Sequence, residues 1–115
     1  MTDKIIVLTT CGSKKEAKQI ARHLLETRLA ACVTIQPEGR SVYRWADKIE
    51  DAKETLLLIK TRRDLFDQVR VEIEKSHNYD VPEVVAVPIV AGSEAYLGWL
   101  ENGLQPSTPA MASSD

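Results

Sequence analysis

Apolar and polar positions in the first 30 residues follow two periods in turn, which predicts a strand and then a helix. The short run 4–10 is rich in apolar and β-branched residues, a pattern typical of a buried strand. Gly12 interrupts this run, and Ser13 with Glu16 forms an S-x-x-E capping box. Beyond it apolar residues recur at helical spacing through Leu24 and Leu25, with Ala30 or Ala31 near the end and charged residues between them. One face of this helix should therefore pack on a flat surface.

The middle of the chain predicts a long hairpin. Residues 31–45 have strand character that is interrupted at 36–39, which indicates one strand with a bulge. Residues 46–48 supply a tight turn. Residues 49–61 return as a second long strand, polar at first and solidly apolar near its end.

The last third predicts two more helices and a strand. Asp64 can cap a helix that ends near residues 76–78. Residues 84–90 form a strand in which Pro88 requires an edge or a bulge, because proline has no amide hydrogen to donate. Ser93 caps a short helix that ends at Gly103 and Leu104.

The order β-α-β-β-α-β with an added helix predicts an α+β fold of the ferredoxin-like type, a split βαβ sandwich with both main helices on one sheet face. Residues 5–8, 56–59 and 84–90 are apolar at successive positions, so both faces of the sheet are apolar there. One face lacks a cover within the chain. We therefore expect a homo-oligomer built sheet against sheet.

Composition limits the class of protein and its partners. The 115 residues suit one domain, 1–104, with a polar Pro- and Ser-rich tail at 105–115. A net charge of −2 offers no basic field, so nucleic acid is not expected as a partner. The apolar run at 5–8 is too short for a signal peptide or a membrane span, which favours the cytosol and no membrane partner.

Candidate chemistry is sparse. Nucleotide-binding, zinc-peptidase, serine-hydrolase and CxxC motifs are absent from the sequence, and we expect no enzyme activity. Cys11 stands between a strand and a helix N-terminus, where a thiolate is favoured, although a packed thiol is the simpler interpretation. Cys32 fits the core, and His23 fits a solvated helix flank. His77 could cap a helix, or bind a metal or a ligand.

Five of the six aromatic residues lie outside the two main helices, which indicates an interface or a pocket. With nearby charged residues they form a candidate cleft set of Tyr43, Trp45, Lys60, Tyr79, Glu83 and Trp99, to which Tyr96 and Glu54 can add.

Several segments together resemble the CutA divalent-cation tolerance family. They are VLTTC at 7–11, RLAACV at 28–33, SVYRW at 41–45, LLIKT at 57–61, HNY at 77–79 with VPE at 81–83, and YLGW at 96–99. The resemblance extends from Ile5 to Leu104 and implies a ferredoxin-like subunit in a homotrimer, with the hairpin pairing across subunits. Asn78 replaces the proline of the family's His-Pro-Tyr. Asp47 replaces a turn glycine, and Glu38 stands where Pro-Gly is common.

The resemblance also implies divalent cations, copper above all. Mapped onto this chain, the candidate ligands are Cys11, Glu54 and His77, a set whose softness suits Cu(II) or Zn(II). No cofactor is expected to be required. The alternative is a signalling or scaffold trimer similar to nitrogen-regulatory PII proteins, which would bind a small molecule or a protein in its inter-subunit clefts through Lys60, Tyr79 and Trp99.

Overall fold

A computed structural model describes residues 1–107 as one α+β sandwich. Its elements are β1 Lys4–Cys11, α1 Lys14–Glu26, β2 Cys32–Trp45, β3 Lys48–Arg62, α2 Phe66–Ser76, β4 Val85–Pro88 and α3 Glu94–Gly103. A single 3-10 turn, Arg63–Leu65, precedes α2. The four strands form an antiparallel sheet in the order β2-β3-β1-β4. This confirms the ferredoxin-like prediction with its extra helix.

The core lies between the sheet and the two longer helices. Alternate residues of β1 and β3 point toward α1 and α2, as the two-residue period of a strand requires. The buried cluster that results includes Ile5, Val7, Leu57, Ile59, Ala17, Ile20, Leu24, Val69 and Ile73. The predicted apolar stripe of α1 is therefore confirmed as its core face except at Leu25, which is exposed.

The opposite sheet face, here called the open face, carries the other alternate residues. Val85, Leu8, Leu58 and Thr34 lie side by side across it, and the next row contains Val87 and Ile6. Leu8 and Leu58 are only half-buried, while Val85 is 48% exposed. Among the described residues only α3 reaches this face, at the end where Glu101 contacts Lys4 and Arg62 and Tyr96 contacts Lys60, so the rest of the open face is unpartnered in a single chain.

The hairpin of β2 and β3 matches its prediction closely. Pairing is continuous except for a register shift between Gln36 and Gly39, where the bulge was expected. Ala46 and Asp47 form a two-residue turn, and both have positive φ, 50° and 67°. This is the backbone that a type I′ turn needs, and aspartate adopts it more readily than most residues.

Two predictions at the ends of elements were wrong. Asp64 does not cap α2, because its carboxylate instead accepts a hydrogen bond from Arg62 Nε at 2.7 Å. The fourth strand is shorter than 84–90, since β1 pairs with only four of its residues. Gln105, the first residue of the predicted tail, is hydrogen-bonded to the domain: its amide donates to Arg28 O, and its carbonyl accepts from Arg62. The remainder of the predicted tail, 108–115, lies outside the described residues.

Candidate functional site

The end of β1 meets the start of α1 and the loop after α2, and several polar side chains converge there. Ser13 caps α1 by accepting the Glu16 N–H at 3.1 Å. The Glu16 carboxylate is buried, and it accepts the backbone N–H of Asn78 at 2.8 Å. Glu16, predicted as half of a capping box, therefore ties α1 to the loop that follows α2.

His77 occupies the centre of this junction. Its side chain is fully buried, and Nε2 lies 2.6 Å from the carbonyl oxygen of Thr10 at the end of β1. Nδ1 accepts the backbone N–H of Tyr79 at 3.1 Å. A carbonyl can only accept and an amide can only donate, so these partners assign the neutral ring with its proton on Nε2. The sequence allowed His77 to cap the last carbonyls of α2, but its ring instead hydrogen-bonds the Thr10 carbonyl at the end of β1.

Glu54 joins the same junction to the hairpin. One carboxylate oxygen accepts the Ser41 hydroxyl at 2.6 Å, and the other accepts the Tyr79 hydroxyl at 2.6 Å. The hydrogen bond to this carboxylate, aided by burial, raises the pKa of Tyr79 far above its usual range. Tyr79 therefore remains a neutral donor at physiological pH.

Cys11 lies at the base of the junction with no exposed surface. Burial, and after it the charges of Glu16 and Glu54, raise the pKa of its thiol to about 12. Of the two interpretations left open for Cys11, these surroundings favour the packed thiol over the thiolate, because desolvation and two carboxylates outweigh the helix dipole. Cys11 is a protonated, packed thiol.

These contacts define the junction network of Cys11, Glu16, Ser41, Glu54, His77 and Tyr79. The structure thus brings the three predicted metal ligands to one end of the sheet. Both His77 nitrogens and both Glu54 oxygens have protein partners, and across residues 1–107 no three Cys, His, Asp or Glu side chains form a group that could hold a metal ion. The arrangement does not fit a preformed metal centre, and metal binding at these residues stays a prediction.

A second cluster lies where β3 ends. Lys60 Nζ donates to the Tyr96 hydroxyl at 3.1 Å and lies 5.2 Å from the centre of that ring. This hydrogen bond is the leading cause of the raised pKa of Lys60. Tyr96 also stacks on Trp99, with ring centres 5.6 Å apart. Both aromatic rings are partly exposed, so they form a surface rather than a closed pocket.

A buried charge network holds α3 in this place. Arg62 is 1% exposed, and its Nη1 donates to Glu101 Oε2 at 2.9 Å. The other Glu101 oxygen lies 3.0 Å from Lys4 Nζ. Hydrogen bonding to Lys4, followed by the charges of Arg62 and Lys4, lowers the pKa of Glu101. None of these residues was singled out from the sequence, because only the docking of α3 brings them together.

Within one chain the predicted cleft set is spread over separate places. Tyr43 and Trp45 are exposed on the hairpin, and Tyr79 belongs to the junction network. Glu83 is exposed before β4, and Lys60 and Trp99 lie at the other end of the sheet. Glu54 and Lys60 are six residues apart on β3, which corresponds to about 20 Å. A common cleft for the set therefore requires more than one copy.

His23 is not the freely solvated histidine that its position on α1 indicated. Its Nε2 lies 2.7 Å from Glu72 Oε1 on α2, although the ring is 45% exposed. This contact lowers the pKa of Glu72. The helix pattern could not reveal the contact, because the partner comes from a second helix 49 residues away.

None of the described helices is long and apolar enough to cross a bilayer.

The strand order and the helix-covered antiparallel sheet with its long hairpin define a ferredoxin-like α+β domain. A sequence profile described as "CutA1 divalent ion tolerance protein" matches residues 5–103. The chain belongs to this family. It is 44% identical over 95 residues to the Divalent-cation tolerance protein CutA of Thermus thermophilus, covering 83% of this chain and 92% of that protein.

Two plant proteins are also similar. The chain is 43% identical over 98 residues to "Protein CutA, chloroplastic" of Arabidopsis thaliana, covering 85% of this chain and 54% of that protein. The chain thus spans only about half the length of this relative. The crystal structure of CutA1 from Oryza sativa superimposes with a TM-score of 0.89 at 42% identity, covering 92% of this chain and 97% of that one.

Proposed function

We propose that this chain is a non-enzymatic homotrimer that acts in divalent-cation tolerance. The observation that carries the proposal is the unpartnered open face, whose half-buried apolar side chains are Ile6, Leu8, Leu56, Leu58, Val85 and Val87. A contiguous apolar patch of this kind is costly in water and is typical of a subunit interface. Family membership supports the cation role, and the resemblance supports three copies rather than two.

The hairpin supports the same assembly. Its distal part exposes Val42, Trp45 and Ile49 at 63–67% of their surface, with Tyr43 beside them. Large exposed hydrophobic residues on a projecting ribbon are suited to packing on a neighbouring subunit. Such pairing would also allow cleft residues from different copies to meet, which a single chain does not achieve.

Within this proposal, Cu(II) or another divalent cation binds at Cys11, Glu54 and His77 near a subunit boundary. Binding there would require the Cys11 thiol to lose its proton and His77 to give up one hydrogen-bond partner, because metals bind the thiolate and a free ring nitrogen. We therefore expect metal uptake to release protons and to strengthen as pH rises. The cation is cargo or signal in this proposal, and folding does not depend on it.

Isothermal titration with Cu(II), in a weakly chelating buffer of known copper affinity, tests the metal part. The chain has only two histidines, so His23→Ala is a matched control for His77→Ala. One site per subunit that weakens at least tenfold in His77→Ala, and less than twofold in His23→Ala, would support the proposal. Equal affinity in all three proteins would refute a copper site at His77 and leave the trimer to be judged separately.

The second candidate is a small-molecule cleft near Lys60, similar to those of PII-like trimers. The observation that favours it is the cluster of Lys60, Tyr96 and Trp99, in which the ammonium has an aromatic hydroxyl but, among the described residues, no carboxylate partner. A thermal-shift screen of small carboxylates and phosphates tests it. A compound that stabilises the wild type but not Lys60→Ala would support a cleft, and no stabilisation by any compound would count against it.

We further propose that the protein acts in the cytosol. The Arabidopsis relative is named as chloroplastic, so location differs within the family. Fractionation of cells that express the full chain tests this. Recovery with cytosolic markers would support it, and recovery in a membrane-enclosed compartment would contradict it.

A further inference from the structure

The solvent face of α1 carries a row of cations. Lys14, Lys15, Lys18 and Arg22 are all exposed, and we name them the α1 cation stripe. At 100° per residue they fall within an arc of roughly 100°, and the row is about 12 Å long. α1 packs on the sheet face opposite the open face, so the stripe stays accessible when copies associate through the open face.

The stripe is not neutralised by neighbouring acids. Among residues 1–107 no carboxylate lies within 4.0 Å of the three lysine side chains, and Arg22 reaches Glu26 only at 3.9 Å. The adjacent helix α2 behaves differently. Arg70 lies 2.9 Å from Glu74, and Lys75 lies 3.6 Å from Glu72. The contrast holds between the two main helices, since hairpin cations such as Lys48 and Lys53 also have no carboxylate within 4.0 Å among the described residues.

The arrangement also opposes the stability of its own helix. Lys14 and Lys15 lie in the first turn, where the helix dipole favours negative charge. Lys14 with Lys18, and Lys18 with Arg22, are like-charge pairs at i,i+4, which destabilise a helix. The acid of the first turn, Glu16, is buried and accepts Asn78 N–H. A partner that supplies negative charge would explain a pattern that otherwise only costs stability.

We propose that the α1 cation stripe is a docking surface for an acidic, extended polypeptide segment of a partner protein. Cations at i,i+4 rise about 6 Å along a helix. Alternate residues of an extended chain point to the same side and are about 6.6 Å apart. Carboxylates at every second position can therefore follow the stripe one cation at a time, each in a charge-assisted contact.

Two other polyanions fit less well. An amphipathic helix binds an anionic membrane through its apolar face, but that face of α1 is buried against the core through Ala17, Ile20 and Leu24. Nucleic acid binding is driven largely by cations that neutralise phosphates, and a chain of net charge −2 offers no extended basic field around the stripe. The spacing and the small number of charges favour a short acidic peptide.

Fluorescence anisotropy with a labelled ten-residue peptide of alternating Glu and Ser tests the proposal, at 50 and 150 mM salt. The double variant Lys14→Gln, Lys18→Gln removes two charges from the stripe. The double variant Arg63→Gln, Lys75→Gln removes two charges elsewhere and is the matched control. Vesicles with 30% phosphatidylserine serve as a second probe, and the melting temperature of each variant is recorded.

We expect salt-sensitive peptide binding that weakens at least tenfold in the stripe variant and less than twofold in the control. The melting temperature of the stripe variant should equal or exceed that of the wild type. No peptide binding at 50 mM salt would overturn the proposal, as would an equal loss in both variants. Vesicle binding that depends on the stripe, without peptide binding, would overturn the peptide proposal in favour of an anionic membrane. A lowered melting temperature of the stripe variant would refute the argument from helix stability.

Discussion

Replacement of Asn78 by proline should destabilise the fold through one buried carboxylate. Asn78 N–H is the donor that Glu16 accepts at 2.8 Å, and Glu16 is 6% exposed. The other group near that carboxylate is His77 Nδ1 at 3.7 Å, which already accepts the Tyr79 N–H and cannot donate. Proline has no amide hydrogen, so Asn78→Pro leaves a buried charge without its close donor.

The magnitude follows from two opposing effects. A hydrogen bond to a charged group is worth about 1.5–3 kcal/mol. Proline also restricts the unfolded chain, which raises the free energy of unfolding by about 0.4–1 kcal/mol. The residue before a proline must be extended, and His77 already has φ −85° and ψ 146°, so no clash is expected there. The net expectation is a loss of about 1–2 kcal/mol, or a fall in melting temperature of about 5–10 °C.

Asn78→Ala is the matched control, because it removes the same side chain and keeps the N–H. Urea unfolding of the two variants at one protein concentration measures the difference, since the stability of an oligomer depends on concentration. We expect Asn78→Ala to unfold within about 0.5 kcal/mol of the wild type, as surface substitutions usually do. A proline variant as stable as the alanine variant would refute the role assigned to the Asn78 N–H.

Three further predictions concern other groups. In an alkaline absorbance titration at 295 nm, one of the three tyrosines should ionise well above the usual range, because Tyr79 donates to a carboxylate that its anion would repel. Cys11 should resist iodoacetamide at pH 8 in the native protein, since its pKa is raised to about 12 and its side chain is buried. Glu101→Gln should cost about 1–2 kcal/mol at pH 7. That cost should shrink as pH falls, because the pKa of Glu101 is lowered in the fold: its stabilisation is present above the unfolded pKa and is lost as pH falls through the folded one.

Each of these has a control. Glu54→Gln should return the late tyrosine to the ordinary range, and an unchanged titration would contradict the contact between Tyr79 and Glu54. Peptide mapping after unfolding should show Cys11 alkylated, while alkylation of the native protein would contradict its burial. Glu26→Gln removes an exposed carboxylate and should cost under about 0.5 kcal/mol. A cost for Glu101→Gln that stays constant from pH 7 to pH 3 would contradict its role as a charged partner.

Local signals were sufficient for most of the fold. Ser13 and Ser93 both cap the helices that the sequence assigned to them, because their hydroxyl groups reach amides three residues ahead. The bulge after Gln36 and the turn at 46–47 also lie where the breaks in pattern placed them. These features depend on residues that are neighbours in the chain, so local sequence is enough to predict them.

Predictions failed where another partner competed for a side chain. Asp64 had the right type and position for a helix cap, but Arg62 takes its carboxylate as part of the network that holds α3. Glu16 matched a capping box, but the loop amide of Asn78, 62 residues away, is its partner. Arg62 is only two residues from Asp64, but its orientation depends on its contact with Glu101 of α3, and the Asn78 amide meets Glu16 only once the topology places the elements together.

The candidate metal ligands were taken from the resemblance, and metal binding at them stays a prediction. The structure places Cys11, Glu54 and His77 at one end of the sheet. Their protonation states and hydrogen-bond partners depend on burial and on Glu16 and Tyr79, which spacing along the chain does not encode. Asn78, a departure from the family's proline, turns out to contribute its amide to this network.

The central claim is that copies of this chain join through the open face into a trimer. Sedimentation equilibrium of the wild type, beside a Leu58→Glu variant that places a charge in the middle of that face, tests it most directly. We predict a wild-type particle of three times the 12.8 kDa chain mass, and dissociation in the variant. A wild type that sediments as a single 12.8 kDa chain at micromolar concentration, or a trimer that Leu58→Glu does not weaken, would contradict the claim.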